Sequence, residues 1–353
     1  MGLELNTIFT LMKRSYIYLV LFFTLSVIHS CKPDAVEFIM TVNGPIDPSY
    51  MGTTLVHEHL LVDFIGADST GYHRWDKDEV VEIVTPYLSE IQNLKVNTLI
   101  ECTPAYVGRD PLLLQKLSEK TGLHLITNTG YYGAGNNRFL PQAFYEISAK
   151  ELAALWIEEY ENGIEGSGVK PGFIKIAVGA SDTLSNEHVK IITAAALTHM
   201  QTGLVIASHT GPDKPAFEQI KVLQSYGIDP STFIWVHAQR GTLKGNFRAA
   251  RAGSWISLDN VNLQRESGSN FSMEWYADRI VALKEANLLH RVLISHDAGW
   301  YSPGEESGGN FRGFTAIFTN LIPILEEHGL SPEELNQLLV INPREAFTIR
   351  VPA

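Results

Sequence analysis

The feature that most constrains the fold is a regular alternation of short apolar runs with longer helical segments. The apolar runs read TTLVHEH, VNTLIEC, LHLITNTG, GFIKIAVG, GLVIASH, TFIWVHA, SWISLDN and RVLISHD. They are continuously apolar, which is typical of parallel strands buried on both faces. The segments between them, such as residues 78–94, have helical periodicity, and several begin at an Asp or Asn cap. About eight strand and helix units predict a (β/α)8 TIM barrel, and a doubly wound open sheet is the alternative.

Length and composition agree with one barrel domain. The chain has 353 residues, of which 45% are hydrophobic and 19% are charged, so it can bury a large core. Its 27 basic and 39 acidic residues give a net charge of -12, and no basic run is interleaved with aromatic residues. We therefore expect no nucleic-acid partner. Because no linker or low-complexity stretch divides residues 44–353, we assign them to a single barrel.

The first 43 residues have a different character. Lys13 and Arg14 precede the apolar stretch SYIYLVLFFTLSVIHS, which has the anatomy of a secretory signal. VIHSC at its end is typical of a bacterial lipoprotein signal, so we predict a signal peptide at 1–30, acylation of Cys31 and a tether at 31–43. An exported protein lipid-anchored to a bacterial membrane, facing the periplasm or exterior, would follow. An ordinary cleaved signal and a membrane anchor are the alternatives.

Polar residues recur at the ends of the predicted strands. They are His57 and His59 in the first strand, Lys175 in the fourth, His209 in the fifth, His237 in the sixth and Asp297 in the eighth. Residues two apart in a strand point to the same side, so His57 and His59 can both enter the barrel. Any single histidine is commonly a hydrogen-bonded core or surface residue, but six such residues at five strand ends predict a metal centre at the C-terminal face.

The chemistry of these residues limits the metal. Imidazole and carboxylate ligands suit Zn²⁺ and related divalent ions. Lys175 lies within the apolar run GFIKIAVG, where a buried amine is costly unless it is neutralised or paired.

Taken in order, these motifs resemble the phosphotriesterase family of the amidohydrolase superfamily, including its lactonase-type members. VHEH is similar to the family's first-strand HxH motif, and GFIKIA is similar to the segment around its bridging lysine. ASHTG, VHA and SHD match its remaining histidines and its terminal aspartate, and GRDP and NPREAF are further shared features. The resemblance extends from about residue 44 to the C-terminus.

The resemblance implies a hydrolase with a binuclear centre, expected to hold two zinc ions. His57, His59 and Asp297 would bind the more buried ion, and His209 and His237 the more exposed one. Lys175, carrying a carbamate formed with CO₂, would bridge the two. A hydroxide shared by the ions would attack the substrate, and Asp297 would accept its proton. The resemblance is also compatible with a homodimer.

The substrate is predicted from residues beside this centre. The loop AGWYSPGEESGGNFRGF is compact where many triesterases of the family carry a longer insertion, and Tyr132 occupies the position of a lactonase tyrosine near the metals. We therefore expect a lactone or carboxylic ester, with a phosphotriester or other phosphoester as the alternative. Tyr131, Trp300 and Tyr301 are candidate substrate-binding residues, with simple packing as the other interpretation.

One departure from the family pattern follows the fourth histidine. Many members have an acidic residue two positions later, whereas this chain reads HAQRG, so Arg240 is a candidate for recognising an anionic substrate group. A solvated surface charge also explains it. A catalytically inactive metal-binding lipoprotein is the alternative class of function. A proton-accepting carboxylate beside a bridging lysine argues against it.

Overall fold

The apolar runs form the strands of a closed parallel barrel in the computed structural model of the protein. The structure describes residues 36–181, 183–262 and 271–351. Glu37–Val351 form one compact unit. Within the described residues there are eight barrel strands, the third of which is interrupted at Thr127. The prediction of a (β/α)8 barrel is confirmed.

Thirteen strands are present in the described residues. They are β1 Val36–Thr41, β2 Gly44–Ile46, β3 Thr53–Leu61, β4 Val96–Glu101, β5 His124–Ile126, β6 Asn128–Thr129, β7 Phe173–Ala177, β8 Ile206–His209, β9 Phe233–Val236, β10 Trp255–Leu258, β11 Val292–Ile294, β12 Gly299–Tyr301 and β13 Ile349–Val351. The barrel runs from β3 to β11 in chain order, with parallel pairing between neighbours.

Helices on the outside of the barrel connect most of these strands. They are α1 Lys77–Asn93, α2 Pro111–Thr121, α3 Gln142–Glu146, α4 Ala149–Asn162, α5 Asn186–Thr202, α6 Asp213–Ser225, α7 Leu243–Arg251, α8 Met273–Glu285, α9 Ile322–Glu327, α10 Pro332–Asn336 and α11 Asn342–Phe347. Side-chain caps begin most of the long helices, as at Asp76 before α1 and Asp110 before α2. In α5 the cap is Ser185 rather than the expected Asn186.

Burial on both faces explains why the strand sequences do not alternate. Ile234 and Val236 of β9 pack in the barrel interior with Ile100 and Phe173. Their neighbour Trp235 packs in the outer cluster between strands and helices. Both faces of each strand are therefore apolar, as in other all-parallel sheets.

The predicted tether is shorter than expected, because β1 lies within it. β1 pairs antiparallel with β2 and forms a three-stranded sheet with β13. Ile39 of β1 belongs to the same cluster as the barrel interior and Ile46 of β2 packs against it, so this sheet shares its core with the barrel. The apolar character of VEFIMT favours burial over a solvated linker.

The remaining predictions for the N-terminus fall outside the described residues. They concern the signal peptide at 1–30, the acylation of Cys31 and the tether up to residue 35. Among the described residues, no helix combines the length and the apolar character needed to cross a membrane. Membrane anchoring and export stay predictions.

A glycine beside Lys175 provides a test of the barrel wall. Gly130 has φ +126°, and a Cβ there would lie 2.0 Å from the carbonyl oxygen of Lys175. Gly130→Ala should therefore lower the free energy of unfolding by about 3 kcal/mol, measured by urea denaturation, because backbone strain and overpacking add. Gly122→Ala is the matched control: its φ is +75° with nothing within 4 Å of the added Cβ. It should cost about 1 kcal/mol, and equal losses would contradict the packing argument.

Candidate metal centre

Two histidines of β3 and one aspartate converge at the C-terminal face of the barrel. The Nε2 atoms of His57 and His59 lie 3.2 Å apart. Asp297 Oδ1 lies 3.1 Å from His59 Nε2 and 3.7 Å from His57 Nε2. All three side chains are mostly buried, so their ligand atoms face one another with little competition from bulk water. This group could hold a divalent ion.

A second pair of ring nitrogens also lies near Asp297. His209 Nδ1 and His237 Nε2 are 2.8 Å apart, and His237 Nε2 is 4.0 Å from Asp297 Oδ2. Oδ1 of Asp297 is therefore close to the first pair, and Oδ2 is within 4.0 Å of His237 in the second. His237 and Asp297 both have left-handed backbone conformations, with φ of 61° and 51°. Non-glycine residues adopt this conformation at some cost, which is common at functional sites.

Lys175 lies deep in the barrel on β7. Its side chain is 1% exposed, and its Nζ is 5.8 Å from the centroid of the Tyr132 ring. Burial lowers the pKa of Lys175, while the negative charges of Asp297 and Asp259 act in the opposite direction. The structure therefore puts an amine with a depressed pKa among the carboxylates of the site.

Asp259 supports both histidine pairs from behind, and the sequence analysis did not identify it. Its carboxylate lies 2.7 Å from His237 Nδ1 and 3.0 Å from His57 Nδ1. It also accepts bonds from the His237 backbone N–H and from the hydroxyl of Ser257. With these donors its oxygens are occupied, so we interpret Asp259 as orienting the histidines rather than binding metal. The signal was present in the sequence, because the run SWISLDN has an acid next to its last residue, much as RVLISHD ends in one.

A second buried acid lies behind His59. The Thr103 hydroxyl oxygen is 2.8 Å from His59 Nδ1 and donates to Glu101 Oε1 at 2.5 Å. Burial is the main reason that the pKa of Glu101 is raised to about 7, and the charge of His59 opposes this shift. Neither residue was predicted, although Glu101 also ends an apolar run.

Tyr132 is next to the second histidine pair, as expected for a residue near the metals. Its hydroxyl lies 3.1 Å from His209 Nδ1. Burial raises the pKa of Tyr132, and the nearby charge of Asp297 raises it further. The phenol is therefore protonated at neutral pH. Tyr132 packs with Trp300 against a small apolar cluster of Val62, Val107 and Phe139, which forms one wall beside the centre.

Two further candidates, Arg240 and Trp300, lie close to the histidines. Burial is the main reason that the pKa of His209 is lowered, and the Arg240 charge lowers it further, while on Tyr132 the same charge opposes the rise in pKa caused by burial. The Arg240 side chain is exposed at the rim. The Trp300 ring lies 5.9 Å from the ring of His59, and the Arg312 guanidinium lies over the Trp300 ring at 4.8 Å.

Tyr131 and Tyr301 do not join this group. Tyr131 packs against Tyr106 and Trp156 and lines a separate cavity of about 570 Å³. Tyr301 is buried in the main core and its hydroxyl donates to Glu79 at 3.0 Å. Each is adjacent in sequence to a residue that faces the centre, and the strand alternation turns it to the other side. We therefore correct the interpretation of both as substrate-binding residues.

Comparison with known proteins agrees with the fold. Residues 37–347 match the phosphotriesterase family, and the chain belongs to that family. It is 29% identical over 302 residues to the phosphotriesterase homology protein of Escherichia coli (strain K12), covering 85% of this chain and 99% of the relative.

Two further relatives are named for organophosphate chemistry. The aryldialkylphosphatase of Saccharolobus solfataricus is 27% identical over 314 residues, covering 86% of this chain and 97% of that protein. The solved structure of an organophosphorus hydrolase from Deinococcus radiodurans superimposes with a TM-score of 0.79 at 25% identity, covering 88% of this chain and 96% of the other.

The position of Asp259 generates a test of ligand orientation. Asp259→Asn should weaken zinc binding by about 10- to 100-fold, because the carboxylate presents one oxygen to each histidine whereas the amide has only one acceptor oxygen. The measurement is zinc affinity by competition with a chromogenic chelator. Asp110→Asn is the control, since Asp110 is a buried helix-capping carboxylate paired with Lys77. Zinc affinity that is equal in the two variants would contradict the orienting role.

Proposed function

We propose that this protein is a binuclear metal-dependent hydrolase that acts on a lactone or carboxylic ester. The observation that carries the proposal is the convergence of two histidine pairs on the Asp297 carboxylate. The donor set of imidazoles and a carboxylate fits zinc or a similar divalent ion. His57, His59 and Asp297 would hold one ion, and His209 and His237 the other. When bound, such ions lower the pKa of water and polarise a substrate oxygen.

Lys175 is proposed to carry a carbamate. Because burial lowers its pKa, its amine has a larger neutral fraction than an exposed lysine, and a neutral amine can form an N–C bond with CO₂ while releasing a proton. The product is an anion with two oxygens, suited to bridging the two positions. It also removes the cost of a buried cationic amine.

Asp297 has the properties of a proton acceptor. Its burial favours the neutral acid, but the surrounding histidines outweigh this effect and lower the pKa of Asp297 to about 2. The carboxylate is therefore ionised at neutral pH. It is 17% exposed and lies between the two histidine pairs, where it can take a proton and deliver it to a leaving group.

The residues around the centre favour a carbonyl substrate. The protonated phenol of Tyr132 can donate to the oxygen that becomes negative during attack on a carbonyl. The wall formed by Val62, Val107, Phe139 and Trp300 suits the apolar part of an ester. Arg240 at the rim suits an anionic group on the substrate.

A phosphotriester is the second candidate substrate, because two relatives carry names that refer to organophosphate hydrolysis. The third interpretation, a metal-binding lipoprotein without catalysis, gains no support from the fold, the site or the relatives. A homodimer stays a prediction.

The role of Lys175 is tested through metal content. Wild-type protein reconstituted with zinc and bicarbonate should hold about two ions per chain, and chelation should abolish its activity. Lys175→Ala should lose metal and activity, because the anionic bridge is gone. A short carboxylic acid in solution should restore part of both by occupying the same space. Full metal content in untreated Lys175→Ala would show that the lysine is structural.

The choice between carbonyl and phosphoryl chemistry is tested by kinetics. We expect kcat/KM for the best lactone or carboxylic ester to exceed that for a triester such as paraoxon by about a hundredfold, or nearly 3 kcal/mol. Tyr132→Phe should lower the lactone activity about tenfold with metal content unchanged. Tyr131→Phe is the matched control, since Tyr131 faces the separate cavity, and it should have little effect. A silent Tyr132→Phe, or triester turnover equal to that of the lactone, would move the assignment to phosphoester hydrolysis.

A further inference from the structure

His59 has its two ring nitrogens in different surroundings. Nε2 faces His57 and Asp297 inside the proposed centre. Nδ1 faces the hydroxyl of Thr103. Thr103 lies just after the end of β4, the strand that pairs with β3. A neutral imidazole carries one N–H, so a fixed partner at Nδ1 determines whether Nε2 has a free lone pair.

The hydrogen bonds behind His59 favour one direction. Glu101 receives the backbone N–H of Leu60 at Oε1 (3.3 Å) and that of Thr103 at Oε2 (3.1 Å). The Thr103 hydroxyl lies 2.5 Å from Glu101 Oε1 and 3.0 Å from the Leu61 carbonyl oxygen, and it donates its proton towards these two acceptors. Having used its proton there, the hydroxyl oxygen is free to accept from His59 Nδ1–H, which leaves Nε2 unprotonated.

We propose that Thr103 and Glu101 are positioning residues. They hold His59 in the Nδ1–H tautomer and fix its ring for the first metal position, the one formed with His57 and Asp297. The inference rests on the proposed metal-dependent function. It assigns to His59 an indirect version of the support that Asp259 gives directly to His57 and His237. Outer partners of this kind commonly orient metal-binding histidines.

The burial of Glu101 favours this role over simple packing. The carboxylate is 2% exposed, and in the described part of the chain no lysine or arginine lies within 4.0 Å of it. A buried acid without a cation is costly, so an apolar side chain would serve packing better. Instead its contacts are the donors that connect it to His59 and to the β3 backbone.

The test compares three threonine variants loaded with metal. Thr103→Val keeps the volume and removes the hydroxyl, so affinity for the first zinc or cobalt ion should fall about tenfold or more. Thr103→Ser keeps the hydroxyl and should bind within about threefold of wild type. Thr98→Val is the control: Thr98 is a buried threonine of β4, five residues before Thr103, and its hydroxyl donates to the Met51 carbonyl. It should lower stability without changing metal affinity.

Spectroscopy and a second variant make the outcome decisive. With cobalt, Thr103→Val should change the absorption of one of the two ions, whereas Thr98→Val should not. Glu101→Gln should act in the same direction as Thr103→Val, since its amide would point an N–H at a backbone N–H. If Thr103→Val does not fold, the metal affinity of Glu101→Gln decides whether the positioning role holds.

The two levels of proposal fail in different ways. Wild-type protein that binds no metal would remove the proposed function itself. If wild type binds two ions and Thr103→Val binds them with equal affinity, only the positioning role is overturned. The same result with Glu101→Gln has this meaning if Thr103→Val does not fold. A loss of affinity in Thr98→Val as large as in Thr103→Val would also overturn it, because the effect would then reflect general destabilisation.

Discussion

The centre depends on the seam where the last barrel strand meets the first. Glu58, between the two β3 histidines, turns away from them and is fully buried. Its carboxylate accepts from the hydroxyl of Ser295, from His296 Nδ1 and from the backbone N–H of Ala298. The N–H of Asp297 in turn donates to the His57 carbonyl at 2.9 Å. One set of bonds therefore closes the barrel and holds Asp297 beside His57 and His59.

Behind the inward-facing ligand atoms lies a layer of buried acids. Asp259 contacts two histidines directly, and Glu101 reaches a third through Thr103. In a dry interior each hydrogen bond restricts the tautomer and orientation of its imidazole more than it would in water. The polar interior thus has two layers: the ring nitrogens face the centre, and the acids lie behind the histidine rings. This arrangement explains how so many ionisable groups are tolerated in one small volume.

The rim is built differently from the centre. Tyr132, Trp300 and Arg240 come from three separate loops or strand ends, and each contacts the centre from one side. The chain shares its family with these relatives, but a fold alone does not define an activity. We therefore propose that substrate choice lies with these rim side chains.

The sequence by itself determined the barrel and the inward-facing candidate ligands, and tertiary structure decided which side chains lie behind and beside them. His57 and His59 could be predicted because residues two apart share a face of a strand, which is a local rule. The roles of Asp259 and Glu101 could not be predicted, because their hydrogen bonds reach histidines far away in the chain. Register decided between neighbours: Tyr132 pairs with Ala177, while Tyr131 pairs with Ala105 and faces elsewhere. A one-residue difference reverses the face of a side chain, and only the packed barrel sets it.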